Sequence, residues 1–152
     1  PQSHNSAFRL LFSVPLPSFL EPERGPRRGN SSFLKKYPLI LSVGNRNLYY
    51  THSQQRGVSA LKALCPEALT EIGPETANKF GIEDGDTILV ESNRGRVTMK
   101  ARVDERVAEG VVLVPHGWSG DANGNLLTDV NCREPIMGYP DQKSLQCAIR
   151  KA

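Results

Sequence analysis

The sequence predicts a mainly β chain that closes into a barrel. Three observations carry this. Short apolar or alternating runs recur along the chain, turn residues separate them, and only two segments have helical spacing. Many short strands with few helices indicate a closed sheet, which leaves no unpaired edge.

Taken in order, residues 1–36 differ from the rest of the chain. Pro1, Pro15, Pro17, Pro22 and Pro26 interrupt them, and Arg24, Arg27 and Arg28 sit beside glycines. The segment reads as an extended arm or linker from a preceding domain, with the folded barrel spanning 37–152. Residues 38–43 (PLILSV) form a continuous apolar run, as expected of a strand buried on both sides, and Gly44 breaks it. Residues 44–56 are a polar loop rich in Asn, Tyr, His and Arg. Val58, Leu61, Ala63 and Leu64 have helical spacing, which predicts a short helix over 58–64.

The stretch from Leu69 to Trp118 is the most sharply specified. A strand at 69–72 runs into a helix that opens on Pro74, whose missing N–H has no partner in a first turn. Gly81 suits the end of that helix because it tolerates positive φ. An Asp84-Gly85-Asp86 turn precedes a strand at 87–91, and an Arg94-Gly95 turn leads into a strand at 96–103. There Val97, Met99, Ala101 and Val103 face one way and Arg96, Thr98, Lys100 and Arg102 the other, the period of a half-buried strand. With Ile88, Val90 and Val112 they make up the expected core. An apolar strand at 111–114 ends in Pro115-His116-Gly117-Trp118, and a last strand is expected at 145–149.

Composition excludes several functions. The chain has 152 residues and a net charge of +3, from 19 basic and 16 acidic side chains, too even a balance to argue for nucleic acid. No run approaches the roughly 18 apolar residues of a membrane span. Cys65, Cys132 and Cys147 are widely spaced and form no C-x-x-C, so they read as buried or half-buried free thiols. No GxxxxGK[ST], GxGxxG, HExxH or GxSxG is present. Pro1 reads as a cut point inside a longer chain, so the sequence says nothing about compartment.

Two loops suit a ligand. In 44–56, Gly44 allows close backbone approach, Arg46 and Arg56 can fork onto phosphate oxygens, and Tyr49, His52 and Ser53 add hydrogen-bonding groups. The same residues suit an ordinary polar loop, and alone they do not choose between the two. Trp118, after Gly117, is either a stacking surface or a plug for the barrel end. Both loops come directly after apolar strands, which predicts a shared rim held by a rigid scaffold.

The ordered set YPLILSVG, G-x-R with H-S-x-x-R behind it, EIGPETANKFGIEDGD, RGRV, VVLVPHGW, NLLTD and KSLQCAI resembles a known domain. It is similar to the C-terminal molybdopterin-dinucleotide-binding domain of the dimethyl sulfoxide reductase family of molybdenum and tungsten enzymes. SVPLPSFLEP at 13–22 resembles the proline-rich segment that leads into it. The G-x-R…H-S-x-x-R loop and HGW look most like the subgroup with polysulfide, thiosulfate and arsenic-compound oxidoreductases and acetylene hydratase. The resemblance implies a six-stranded double-psi β-barrel with two or three short helices. It implies a cofactor of two pyranopterin guanine dinucleotides holding molybdenum or tungsten. Cofactor-binding positions would be Gly44, Arg46, His52, Ser53, Arg56, His116, Gly117, Trp118, Asn125 and Lys143. Catalytic residues, iron–sulfur cysteines and the protein ligand to the metal would lie in earlier domains. Partners would be other domains or subunits of the same oxidoreductase, with the isolated domain a monomer. Two other functions fit a barrel of this kind: a non-catalytic double-psi module that binds protein or peptide, and a nucleic-acid module using the basic stretch from Arg24 to Lys36.

Pro and Gly in the arm leave little apolar surface to offset ordering entropy. Residues 1–36 are therefore expected to exchange amide hydrogens rapidly in the isolated chain. Slow exchange across 5–30 would show instead that the arm packs on its own barrel.

Overall fold

The computed structural model describes residues 31–133 and 136–152. The expectation for residues 1–30 lies outside that range. Six strands close into one barrel: β1 (Leu39–Asn45), β2 (Leu69–Ile72), β3 (Thr87–Glu91), β4 (Arg96–Val103), β5 (Val111–Pro115) and β6 (Leu145–Lys151). Around the barrel the order is β1-β5-β2-β4-β3-β6. Three α-helices are described: α1 (Ser31–Lys36), α2 (Ser59–Leu64) and α3 (Pro74–Phe80). Two 3-10 turns, Gly120–Ala122 and Gly124–Leu127, come after β5.

The pairing has a hidden symmetry. β1 runs parallel to β5 and β2 parallel to β4, while every other neighbouring pair is antiparallel. Exchanging β1 with β4, β2 with β5 and β3 with β6 leaves both the circular order and the sense of every pair unchanged. The two halves, β1–β3 and β4–β6, therefore interlock, each placing a strand between strands of the other. This is the double-psi arrangement that the resemblance implies.

The symmetry axis swaps the two ends of the barrel, so connections sort by end. The 46–68 loop, the 92–95 hairpin turn and the 116–144 segment leave at one end, the upper. The 73–86 connection with α3 and the 104–110 loop leave at the other, the lower.

The core is the inward set of these strands. Leu41, Ile72, Ile88, Val90, Val112 and Val114 are fully buried, each contributing about 1.5–3 kcal/mol of transfer free energy. Val97, Met99 and Ala101 are buried as expected, whereas Val103, at the end of β4, is only partly covered. β1 differs from a strand buried on both sides. Its inward residues Leu39, Leu41 and Val43 are buried, but Ile40 and Ser42 are half-exposed. Nor does Gly44 end it. The strand continues to Asn45 through an irregularity between Val43 and Asn45, where Gly44 takes φ 96°. A bulge with glycine in a positive-φ conformation lets a strand bend without losing its partner.

The lower end obeys its local signals. Gly81 caps α3 at φ 63°, its N–H reaching the carbonyls of Ala77 and Asn78. In the next turn the Glu83 amide donates to Asp86 Oδ2 (2.7 Å) and the Val103 amide to Asp84 Oδ1 (2.8 Å). The Gly110 amide donates to the buried Thr76 hydroxyl (2.9 Å), tying α3 to the loop before β5.

Two elements depart from the sequence reading. Residues 31–36 form α1 rather than extended chain, because α1 packs on β6 and Phe33 stacks 5.2 Å from Tyr37. A tertiary contact of this kind leaves no periodicity in six residues. β6 runs on to Lys151, which pairs with Ile88 and places its ammonium 2.7 Å from Asp86. All three cysteines are free; Cys65 and Cys147 are buried, and burial pushes the Cys147 thiol up to about 12, so it stays protonated.

Met99 sets a stringent test of the barrel register. It is 4% exposed and accepts from the Thr70 hydroxyl. Met99→Asp should abolish cooperative folding, since an unpaired buried charge costs several kcal/mol, while Met99→Leu should unfold near the wild-type midpoint. Thermal denaturation followed by circular dichroism measures both; a cooperatively folded Met99→Asp protein would contradict the register.

Candidate functional site

The site begins at the upper ends of β1 and β5. Being parallel neighbours, these strands deliver residues 44–56 and 115–118 to the same place. The His116 amide continues the pairing by donating to the Asn45 carbonyl (3.0 Å). The two loops then touch. A Cβ built on Gly117, at φ 80°, would lie 2.4 Å from the His52 carbonyl carbon and 2.8 Å from the Ser53 nitrogen. Only glycine permits that contact.

Side chains converge on the same spot. The His52 and His116 rings meet edge to face with centroids 4.4 Å apart. They line a cleft of ≈ 100 Å³ together with Arg46, Asn47, Tyr50 and Thr51. Arg56 lies over the Trp118 ring at 4.7 Å, and Tyr50 meets that ring edge-on at 6.3 Å. Trp118 also packs on the core. Its ring thus lies between the core and Arg56.

Lys143 enters from the segment before β6. Its Nζ donates to the Ser42 hydroxyl (3.0 Å) and the Val43 carbonyl (3.1 Å). A Cβ on Gly44 would fall 3.9 Å from that ammonium and 3.3 Å from Gln142 Oε1. Asn125 does not line the cleft. It is exposed on the second 3-10 turn, held at the upper end because Gly124 packs against Val43 and Val114. Ser53 is exposed beside Gly117. The structure therefore gathers Arg46, His52 and His116 in one cleft. It places Arg56, Gly117 and Trp118 beside it and Gly44 and Lys143 on its β1 side, and Asn125 is not among the residues that line it.

The electrostatics favour an anion. Among the described residues, no acidic side chain lines the cleft. Glu71, on β2, is taken up by Asn45 (2.6 Å) and Arg102 (3.7 Å). Burial, then His52, Arg46 and Lys143, hold the His116 imidazole below its ordinary value of 6.5. Among the described residues no group of three or more His, Cys, Asp or Glu converges to hold a metal ion, and no helix is long and apolar enough to cross a membrane.

Tyr50 is the residue that sequence reasoning missed. It is 6% exposed, and its hydroxyl lies on the carbonyls of Leu61 and Cys65. Asn47 supports the same turn, its Oδ1 accepting from the Tyr49 amide (2.7 Å) and its Nδ2 donating to Cys65 Sγ (2.7 Å). The available signal was Tyr49-Tyr50 inside a polar loop: one ring is exposed and the other anchors the loop to the end of α2.

A family model described as the Molydopterin dinucleotide binding domain matches residues 39–145. The chain belongs to this family. Among curated relatives, Dopamine dehydroxylase of Eggerthella lenta is 32% identical over 148 residues, which is 90% of this chain and 14% of that protein. The F420-dependent formate dehydrogenase subunit alpha of Methanocaldococcus jannaschii is 36% identical over 117 residues, 76% of this chain and 17% of that protein. Among solved structures, acetylene hydratase from Pelobacter acetylenicus superposes with a TM-score of 0.82 at 24% identity, covering 97% of this chain and 23% of that one, which establishes the shared fold. This molydopterin dinucleotide binding domain thus spans about a sixth of the relatives' length. The match covers all of the cleft residues and both loops that form it.

Trp118 is the chain's one tryptophan, so its fluorescence reports this rim directly. Gly117→Ala should push the 46–56 loop off the HGW segment because both the added Cβ and the positive φ oppose the native contact. The expected result is a changed Trp118 emission and faster hydrogen exchange at 51–56, with the barrel melting cooperatively. An unchanged spectrum and unchanged exchange would show that the loops do not depend on this contact.

Proposed function

We propose that this domain forms part of the binding site for a bis(molybdopterin guanine dinucleotide) cofactor carrying molybdenum or tungsten, within a larger oxidoreductase. The observation that carries the reading is the cationic cleft at the upper rim: among the described residues, Arg46, His52 and His116 line it without a carboxylate, and Lys143 stands behind Gly44.

The residues fit such a group. Pyrophosphate and pterin edges need cationic donors and backbone that can approach closely. Arg46 offers a forked set of donors at the cleft. Lys143, tethered to β1, contributes a fixed point charge. Arg56, laid on Trp118, is held with its planar group in one orientation. Tyr50, which lines the cleft, meets the Trp118 ring edge-on at 6.3 Å and so braces the platform under Arg56. Asn125 and Ser53, both exposed, suit a more distant part of an extended ligand. The bound group would supply the redox chemistry through its metal; this chain would bind and orient it.

The H-S-x-x-R sequence (His52 to Arg56) and the HGW tripeptide support a finer placement, in the subgroup with polysulfide, thiosulfate and arsenic-compound oxidoreductases and acetylene hydratase. The partners of this rim would then be other domains or subunits of that oxidoreductase. Exposed apolar residues on the same loops, Leu48, Leu126, Val130 and Tyr139, suit such burial.

The test belongs in the intact enzyme. Replacing Arg46 and Arg56 together with Ala should lower metal and pterin content severalfold, measured by metal analysis and pterin fluorescence, while the domain stays folded. Full cofactor content in a folded double variant would remove both arginines from the site and with them most of this reading.

A further inference from the structure

Four groups that carry or can acquire positive charge meet at the cleft. His116 is the most enclosed of them. His52 lies edge-on to it at 4.4 Å and Arg46 shares the lining. Lys143 approaches from the segment before β6, where its ammonium is tied to Ser42 and Val43 on the adjoining strand. From β1, Asn45 offers His116 only a carbonyl, and the carboxylate next along, Glu71 on β2, is already engaged by Asn45 and Arg102. A proton on His116 therefore meets repulsion from three neighbouring groups and, among the described residues lining the cleft, no compensating carboxylate.

We propose that this cleft takes up a proton together with its anionic ligand, and that His116 is the group that receives it. The proposal rests on reading the cleft as an anion site. An anion seated between Arg46 and the two imidazoles supplies the missing negative charge. His116 then gains a proton from solvent, becoming an imidazolium with both ring nitrogens as donors, and so adds a charge-assisted hydrogen bond to the ligand. His116 is a positioning residue here, and the device makes retention of an anion at this rim depend on pH. Burial, and then the neighbouring His52, Arg46 and Lys143, lower the affinity of the ring for a proton when no anion is bound.

Linkage gives the sign. The liganded cleft binds more protons than the empty one, so anion affinity must rise as pH falls. For one proton the steepest slope is about tenfold per pH unit. The empty group titrates below 6.5, so the rise is expected as pH falls through and below the liganded midpoint.

Sulfate is the suitable probe, because it is a tetrahedral dianion whose own charge is constant between pH 5 and 8. Binding of sulfate to this 152-residue chain is measured by calorimetry at constant ionic strength, with NMR titration of each histidine ring in its presence and absence. Expected are tighter binding at lower pH and an upward move of the His116 midpoint under saturating sulfate. His116→Gln should flatten most of the pH dependence, whereas His52→Gln should retain it. Sulfate binding with an unmoved His116 midpoint would overturn the proton coupling and leave the cofactor reading intact. Absence of sulfate binding between pH 5.5 and 7.5 would overturn it as well. The cofactor reading is judged separately, by the metal and pterin content of the double-arginine variant.

Discussion

The parallel pairing of β1 with β5 governs the rest of the molecule. It runs in register from Ile40 opposite Val111 to Val43 opposite Val114. Parallel neighbours end on the same side of a sheet, so the loops that leave them must share a rim. The pairing is also costly to form, because about 70 residues separate the two strands and the loop between them must close first. Interlocking offsets that cost. β2 pairs with both β4 and β5, so closing one long-range contact brings the next into reach. The apolar inward faces of all six strands then bury one another, and no edge of the barrel sheet remains open.

The upper rim is built by close backbone contact and held by a few apolar anchors. Gly117 against His52 sets the distance between the two loops. Tyr50 and Trp118 fix their orientation, with Arg56 laid over the indole. Such a rim can gather like charges because the folding free energy of the barrel holds them there. Burial first, and then the neighbouring His52, Arg46 and Lys143, hold the His116 imidazole below its ordinary value.

The lower-end turns and the upper cleft differ in how their charges are arranged. At the lower end Asp86 pairs with Lys151, and the Arg106 guanidinium fork holds the Asp104 carboxyl well below the usual carboxylate range. Those turns are internally satisfied. Among the described residues, the cleft at the upper end is lined by cationic and neutral groups alone. Exposed pairs such as Lys100 with Glu67 contribute little to stability, so the contrast bears on binding rather than folding. Turns with balanced charge need no ligand, whereas a cleft lined by Arg46 and two imidazoles without a carboxylate favours an anionic one.

Much of this was legible in the residues. The strands at 69–72, 87–91 and 96–103 and the helix from Pro74 to Gly81 obey local rules, because their period, caps and turns depend only on near neighbours in sequence. The resemblance also named candidate cofactor positions; of these the structure brings Arg46, His52 and His116 together as one cleft, whose lining does not include Asn125. Other features needed the third dimension. That Gly44 bends β1 instead of ending it depends on β5 alongside. That α1 forms depends on β6 and Tyr37. That Tyr50 is buried depends on carbonyls 11 and 15 residues away. That His116 is crowded by positive charge depends on Lys143, which arrives from the far end of the chain. Local chemistry determined which elements exist; long-range contacts, which no sequence window contains, decided which side chains share a space and what charge they can carry there.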